Sequence, residues 1–158
     1  MSKIISFTKV GLPYGWLGNM SPHPIEYDGK TWRTGEALFQ ALRFNDQQIR
    51  ALIWREKSPM SAKMAAKKHY DQLSVTPRSE EDLNLMRKVL RLKVEQHPQI
   101  KADLIATGDA VILEDSSARR NDSGLFWGAA DVDGRWVGVN TLGVLWMELR
   151  DELKAGNK

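Results

Sequence analysis

The sequence contains no cysteine among its 158 residues. Disulfides, thiolate nucleophiles and cysteine-based metal sites are therefore excluded. The histidines at positions 23, 69 and 97 are far apart, without the short spacings of metal-binding pairs. There is no apolar run of membrane-spanning length, and the amino-terminal residues do not form the apolar region of a signal peptide. We therefore expect no metal, no cofactor, no membrane contact and a cytoplasmic location.

An excess of one charge sign is also lacking. The formal net charge is +3, and the basic and acidic residues are interspersed. This balance allows an anionic ligand but does not predict a nucleic-acid-binding surface. A chain of this length has room for one hydrophobic core. We expect a single domain over residues 1–158 with a core at about residues 4–153, and the oligomeric state is left open.

The segment 34–44 has the periodicity of a helix. Thr34 is suited to cap its amino terminus, and most of its faces are apolar. Glu36, Gln40 and Arg43 share one narrow polar stripe, because residues three and four apart lie on the same face of a helix. Two interpretations are open: the stripe is the wall of a ligand site, or it is a solvated row of polar side chains joined in one Glu–Gln–Arg network.

Shorter signals predict the remaining architecture. Asp28-Gly29 predicts a tight turn between two strands within residues 25–32, and residues 4–7 and 110–114 read as short strands. Further helices are predicted where a capping residue precedes apolar positions at helical spacing; the caps are Asp46, Ser58, Ser79 and Asn140. Residues 115–138 show no regular pattern and are predicted to form a long loop. The predicted fold is mainly α with a small β element, an α+β domain with a hairpin near its amino terminus.

Several polar residues outside the stripe are candidates for ligand contact. Ser58 and Lys63 place a helix amino terminus beside a basic residue, which favours phosphate; the alternative is a solvated basic helix. For Asn140 the two interpretations are a helix cap and a ligand contact. The loops at 11–22 and 115–138 carry further candidates, because long loops rich in glycine, aromatic and polar residues often hold function.

Motifs spread from Tyr14 to Leu153 match one family in order and spacing. They are Tyr14-Gly15, Asn19, Tyr27-Asp28-Gly29-Lys30-Thr31-Trp32, Glu36, Phe39-Gln40-Ala41, Phe44, Ser58-Pro59-Met60, Met86-Arg87-Lys88, Leu104 to Thr107, Trp127-Gly128, Gly138, Asn140, Leu142-Gly143 and Met147-Glu148-Leu149-Arg150. On these motifs the chain resembles the NADAR family. The resemblance implies a compact, mostly helical domain with a small β element. It also implies activity on N-glycosidic bonds of ribose, in phosphorylated riboflavin-pathway intermediates for some members and in ADP-ribosylated guanine for others.

Three positions depart from the family pattern. Some members use a lysine that acts covalently at the anomeric carbon, and Arg43 stands at that position. A guanidinium stays protonated and does not form a Schiff base. Arg78 stands where a tryptophan is usual. The family's acid three residues before the Trp-Gly pair is Gly124 here, and the nearest acid, Asp122, lies five residues before it.

The activity that the resemblance implies suggests roles for particular residues. Cleavage of a ribosyl N-glycosidic bond needs a carboxylate to stabilise positive charge on the ribose, and an acid or base for the water or the leaving base. We expect Glu36 to be that carboxylate, with Asp122 as the second candidate. The expected ligand contacts are stacking by Trp127 of the Trp127-Gly128 pair, phosphate binding by Arg43, Ser58 and Lys63, and orientation of ribose hydroxyls by Asn19, Gln40 and Asn140.

Two functions follow as hypotheses. The first is a hydrolase that cleaves the ribose–base bond of a phosphorylated nucleotide or an ADP-ribose-type substrate, with ADP-ribosylated nucleic acid as a further substrate class. The alternative is a binding module that captures an ADP-ribose or NAD-derived nucleotide without turning it over. Arg43 and Arg78 favour the alternative, because arginine binds phosphate without covalent chemistry. The sequence does not identify the base.

Overall fold

The structure is a computed structural model that describes residues 3–156. Within that range the helices are α1 Gly35–Leu42, α2 Gln47–Trp54, α3 Pro59–Lys67, α4 Glu80–Gln96, α5 Pro98–Ala106, α6 Asp122–Trp127 and α7 Thr141–Gly156. The strands are β1 Ile4–Phe7, β2 Ile25–Tyr27, β3 Lys30–Trp32, β4 Val111–Glu114, β5 Ala130–Val132 and β6 Arg135–Val137. The predicted α+β class, mainly helical with a small β element, is confirmed. In the part of the chain described, no helix is both long enough and apolar enough to cross a bilayer.

The chain forms two compact units. One is continuous and comprises Asn19–Pro98; we call it the continuous unit. The other joins the chain up to Gly18 with the chain from Gln99 onward; we call it the split unit.

The continuous unit is built around α1, which packs against α2, α3 and α4. Its helix starts follow from local chemistry, because a side-chain oxygen of the capping residue accepts a hydrogen bond from a free amide of the first turn. The predicted caps are confirmed: Thr34 binds Ala37 N, Asp46 binds Gln48 N, Ser58 binds Ser61 N, and Ser79 binds Asp82 N. The predicted hairpin is also confirmed as β2–β3, with positive φ at Asp28 and Gly29.

The split unit is built on a parallel pair of strands. β1 pairs with β4 in the register Ile4↔Val111 to Phe7↔Glu114, which confirms both predicted strands, and α7 packs on β4. Trp146 of α7 is fully buried and donates from its indole N–H to the Leu17 carbonyl at 2.9 Å. That bond satisfies the polar atom of a large core residue.

The expectation of a long loop over residues 115–138 is wrong. The segment contains α6, capped by Asn121, and the antiparallel hairpin β5–β6. The turn of that hairpin is Asp133-Gly134, with φ of +51° and +82°, so the same dipeptide signal that predicted β2–β3 was present here. The flanking strand β6 is exposed at all three residues, which removes the apolar alternation that makes a strand recognisable.

A buried lysine lies in the continuous unit. Lys93 of α4 has no exposed surface, and its amine donates to Ser21 Oγ at 2.8 Å. Ser21 Oγ lies 2.9 Å from His23 Nδ1, and the His23 ring meets the His97 ring edge-on at 5.3 Å. Burial lowers the pKa of Lys93 to about 7. Burial, together with the positive charges of Lys93 and His97, also lowers the pKa of His23.

The lowered pKa of Lys93 makes stability depend on pH. Its pKa in the folded protein is about 7, against 10.5 for the free side chain, so the unfolded chain binds more protons between these values. The cost of burying the charge is full below pH 7 and absent above about pH 10.5. We expect the free energy of unfolding to rise across this window by up to about 1.4 kcal/mol per pH unit.

Denaturant unfolding from pH 7 to pH 10 checks this prediction. Lys93→Met should show a flatter pH dependence than the parent protein, because it has no proton to lose. Lys101→Met, at an exposed position of α5, is the control and should keep the parent slope. Equal slopes for the parent and Lys93→Met would contradict the prediction.

Candidate active site

The polar stripe of α1 is buried. Glu36 is 9% exposed, Gln40 is 4% exposed and Arg43 is 6% exposed, so the interpretation as a solvated row is wrong. Gln40 Nε2 donates to Glu36 Oε1 at 3.0 Å, and Gln40 Oε1 accepts from Arg43 Nη1 at 3.2 Å. The three side chains form one hydrogen-bonded line along the helix.

Arg43 is bound to a carboxylate from α4. Its Nε donates to Asp82 Oδ1 at 2.9 Å and its Nη2 donates to Asp82 Oδ2 at 3.2 Å. This is the two-point geometry in which arginine binds carboxylates most strongly. Tyr70 completes the group: its hydroxyl accepts from Arg43 Nη1 at 3.2 Å and donates to Gln40 Oε1 at 3.3 Å. The guanidinium is therefore committed to protein partners.

The amide of Asn19 lies beside the start of α1. Its backbone carbonyl accepts from Glu36 N at 2.8 Å, which fixes the end of the preceding loop to the first turn of the helix. The side chain is 8% exposed, and its Nδ2 donates to the sulfur of Met86 at 3.1 Å. Within the described residues, the buried Oδ1 has no hydrogen-bond partner. An acceptor left in that state costs free energy unless a ligand or water donates to it.

The amino terminus of α3 carries the two residues predicted to bind phosphate. Ser58 and Ser61 form a reciprocal capping box in which each side chain accepts from the other's backbone amide. Lys63 follows on the same helix and is half-buried. The hydroxyl of Ser58 is thus engaged in capping, and its ligand role stays a prediction.

The remaining predicted residues belong to the split unit. Asp122 is exposed in the first turn of α6. Trp127, at the end of α6, is half-buried, and its ring meets the Phe126 ring edge-on at 5.1 Å. Gly128 is buried, and a Cβ at this position would overlap Ser116 Oγ. The glycine of the Trp-Gly pair is thus required by close packing.

Asn140 bridges two backbone groups of β4. Its Oδ1 accepts from Glu114 N at 3.0 Å, and its Nδ2 donates to the Ile112 carbonyl at 2.9 Å. The prediction that its side chain caps α7 is wrong, because the amide instead extends the hydrogen bonding of the strand. The backbone of Asn140 has φ +57°, a conformation that asparagine tolerates better than most residues.

Sequence reasoning missed two residues of the α1 group, Asp82 and Tyr70. Both lie far along the chain from Arg43, at separations of 39 and 27 residues. One signal was available: an arginine on an otherwise apolar helix needs an acid partner once it is buried. That argument calls for an acid without saying which one.

The chemically distinctive group in the continuous unit is the Glu36 carboxylate. It forms no ion pair within residues 3–156, and only one of its oxygens accepts a hydrogen bond from that range. A buried carboxylate held by a single amide can face a developing positive charge or accept a proton from water. No cluster of three or more histidine and acidic side chains in the described residues is arranged to hold a metal ion.

Comparison with protein-family models identifies a matching family. The model of the NADAR domain matches residues 6–154. The chain belongs to the NADAR domain family. This confirms the resemblance that the motifs indicated.

Several relatives carry names that state an activity. The chain is similar to N-glycosidase YbiA of Escherichia coli, with 40% identity over 152 residues, which are 95% of this chain and 88% of the relative. It is 33% identical to N-glycosidase Npun_R5314 of Nostoc punctiforme, over 95% of this chain and 92% of that protein. It also matches the chloroplastic riboflavin biosynthesis protein PYRR of Zea mays at 31% identity, but covers 25% of that longer protein.

A solved structure supports the fold. The NMR structure of E. coli YbiA superimposes with a TM-score of 0.83 at 37% sequence identity, covering 99% of this chain and 89% of the other. The names of these NADAR relatives agree with the expected hydrolase of N-glycosidic bonds.

Replacing Asn140 tests its contacts with β4. We expect Asn140→Ala to lower the free energy of unfolding by about 1–3 kcal/mol, because it removes the hydrogen bonds to the half-buried Glu114 amide and the buried Ile112 carbonyl. The free energy of unfolding of Asn140→Asp should lie between those of the parent and Asn140→Ala, since a carboxylate still accepts from Glu114 N but cannot donate to the Ile112 carbonyl. Urea unfolding measures these differences, with Asn45→Ala at an exposed position as control. A loss for Asn140→Ala no larger than the control's would show that these bonds do not stabilise the fold.

Proposed function

We propose that this protein is an N-glycosidase that hydrolyses the bond between ribose and base, with Glu36 as the catalytic carboxylate. The observation that carries the proposal is the state of Glu36: buried, bound at one oxygen by Gln40 and joined to no cation among residues 3–156. The names of the N-glycosidase relatives support the same reaction class.

The proposed reaction begins with departure of the base. The bond between the anomeric carbon and the base nitrogen breaks, the base takes the electron pair, and positive charge develops on the ribose. The Glu36 carboxylate faces that charge and accepts a proton from the attacking water, whose oxygen bonds to the anomeric carbon. The proton lost by the water balances the one that the leaving base requires.

Asn19 is proposed to orient the sugar. A ribose hydroxyl is a donor as well as an acceptor, so it can satisfy the buried Oδ1 that has no partner within the described residues. The backbone bond between Asn19 and Glu36 couples the position of this amide to that of the carboxylate. A ligand bound to Asn19 would thereby be placed by the same helix turn that holds the catalytic group.

The mechanism does not pass through a lysine adduct at position 43. Arg43 remains protonated, and Asp82, Gln40 and Tyr70 take its hydrogen bonds. This geometry favours a role in the support of Glu36 over the phosphate contact expected from the sequence. Lys63 is the remaining basic residue of the continuous unit that we propose for phosphate. The stacking role of Trp127, a residue of the split unit, stays a prediction.

The proposed substrates are phosphorylated nucleotides and ADP-ribose-type molecules, free or attached to nucleic acid. The purified protein is incubated with NAD, ADP-ribose, ribosylated pyrimidine phosphates and DNA that carries ADP-ribosyl-guanine, and released base is followed by mass spectrometry. We expect release from at least one of these and a fall of about 100-fold or more in Glu36→Gln, as expected for loss of an acid–base group. Glu26→Gln, an exposed carboxylate of the β2 strand, should retain the parent rate.

The variants also separate the competing assignments. Base release that survives Glu36→Gln but is lost in Asp122→Asn would move the catalytic role to Asp122 and overturn the assignment to Glu36. A compound that raises the melting temperature without losing its base would favour the binding module, which Arg43 supports because it replaces the covalent lysine of some NADAR members.

A further inference from the structure

Each of the three guanidinium nitrogens of Arg43 donates to a protein partner. Its guanidinium lies 5.0 Å from the centroid of the Phe39 ring and 5.4 Å from that of Tyr70. Four of its five N–H groups donate to Asp82, Gln40 and Tyr70. A side chain in this state acts on its neighbours and not on a ligand.

Asp82 compensates the charge of Arg43. It has no exposed surface, and each of its oxygens accepts from the guanidinium. Its Oδ2 also accepts from the backbone N–H of Arg78 at 2.9 Å. Arg78 has φ +65°, a conformation that costs free energy for a residue with a Cβ. The carboxylate is therefore held by two elements in addition to its own helix.

Gln40 transmits the position of Arg43 to Glu36. The Gln40 carbonyl oxygen accepts from both Arg43 and Tyr70, which fixes the amide with its N–H₂ towards Glu36 Oε1. If the amide were reversed, an N–H₂ group would face the N–H of Arg43, donor against donor. The guanidinium thus selects the amide orientation that gives Glu36 its hydrogen bond.

The charges of the group sum to one negative charge. Glu36 and Asp82 each contribute −1 and Arg43 contributes +1. Without Asp82, the charge of Arg43 would oppose that of Glu36 on the same helix. Tyr70 binds the Arg43 guanidinium, and Arg78 binds Asp82 through its backbone N–H. The helices that pack against α1 also carry Arg50 on α2, Lys63 and Lys67 on α3, and Arg87, Lys88, Arg91 and Lys93 on α4.

We propose that Asp82 is a positioning residue for Glu36: it neutralises Arg43, holds it against Gln40, and so leaves the negative charge of Glu36 available to a cationic ribosyl group. The catalytic part of this inference rests on the proposed N-glycosidase function. The electrostatic part concerns the protein alone and does not require turnover.

An NMR titration tests the electrostatic part. The side-chain carboxyl carbons of glutamate are labelled with ¹³C, and the signal of Glu36 is identified by its absence in Glu36→Gln. In Asp82→Asn the uncompensated guanidinium should lower the pH midpoint of the Glu36 signal by about one unit, the size expected for charges on the order of 10 Å apart at an effective dielectric constant of about 20. Arg43→Gln alone should move the midpoint upward, because it leaves Asp82 without its cation.

The double variant Arg43→Gln with Asp82→Asn separates charge from structure. It restores the net charge of the line, and the new glutamine amide can still donate to Gln40, so the midpoint should return to within about 0.3 units of the parent. If Asp82 had a purely structural role, the Glu36 midpoint would stay unchanged in the two single variants, or the double variant would show the largest shift of that midpoint. Glu80→Gln, which breaks the exposed pair with Arg87 on the same helix, should leave the Glu36 signal in place.

Activity gives the second readout. Asp82→Asn should lower kcat about tenfold with little change in KM, because a shift of one pH unit in the Glu36 midpoint corresponds to a tenfold change in the electrostatic stabilisation of the cation. The double variant should recover most of this loss. Base release by the parent protein together with an unmoved Glu36 signal would overturn this inference and leave the proposed function intact. A shifted Glu36 signal in a protein that releases no base from any of the substrates would support the electrostatic inference and overturn the proposed function, and with it the catalytic part of the inference.

Discussion

The two-point ion pair between Arg43 and Asp82 is the constraint on which the organisation of the candidate site depends. It joins α1 to the first turn of α4, and both side chains are buried. A buried pair of this kind has a high desolvation cost, which only good geometry and further hydrogen bonds offset. Tyr70, Gln40 and the Arg78 amide supply those bonds. The requirement to satisfy the pair therefore orders Gln40, which in turn binds Glu36.

Arginine at position 43 differs from a lysine in the chemistry that it can perform on the NADAR fold. A lysine at the same place is a compact charge that can lose its proton and form a covalent adduct, whereas arginine keeps its proton and binds carboxylate in two-point fashion. In this chain the Arg43 guanidinium is held by Asp82 and in turn donates to Gln40.

Features determined within a few residues could be predicted from the sequence. Caps such as Thr34 and Ser79 act on amides three residues away, and the Asp28-Gly29 turn is set by its own backbone preferences. The partner of Arg43 and the bonds of Asn140 were not predictable in this way. Each depends on the meeting of distant segments, and the chemistry of either residue alone is compatible with several partners.

The division into a continuous and a split unit has a consequence for the order in which the chain acquires structure. All contacts of the continuous unit become possible once residue 98 has been synthesised. Strand β1 must wait for β4, because Ile4 pairs with Val111, and pairings across such a sequence separation form slowly. During synthesis, β1 therefore stays without its partner for longer than any other strand within residues 3–156, and an unpaired strand edge is open to pairing with other chains.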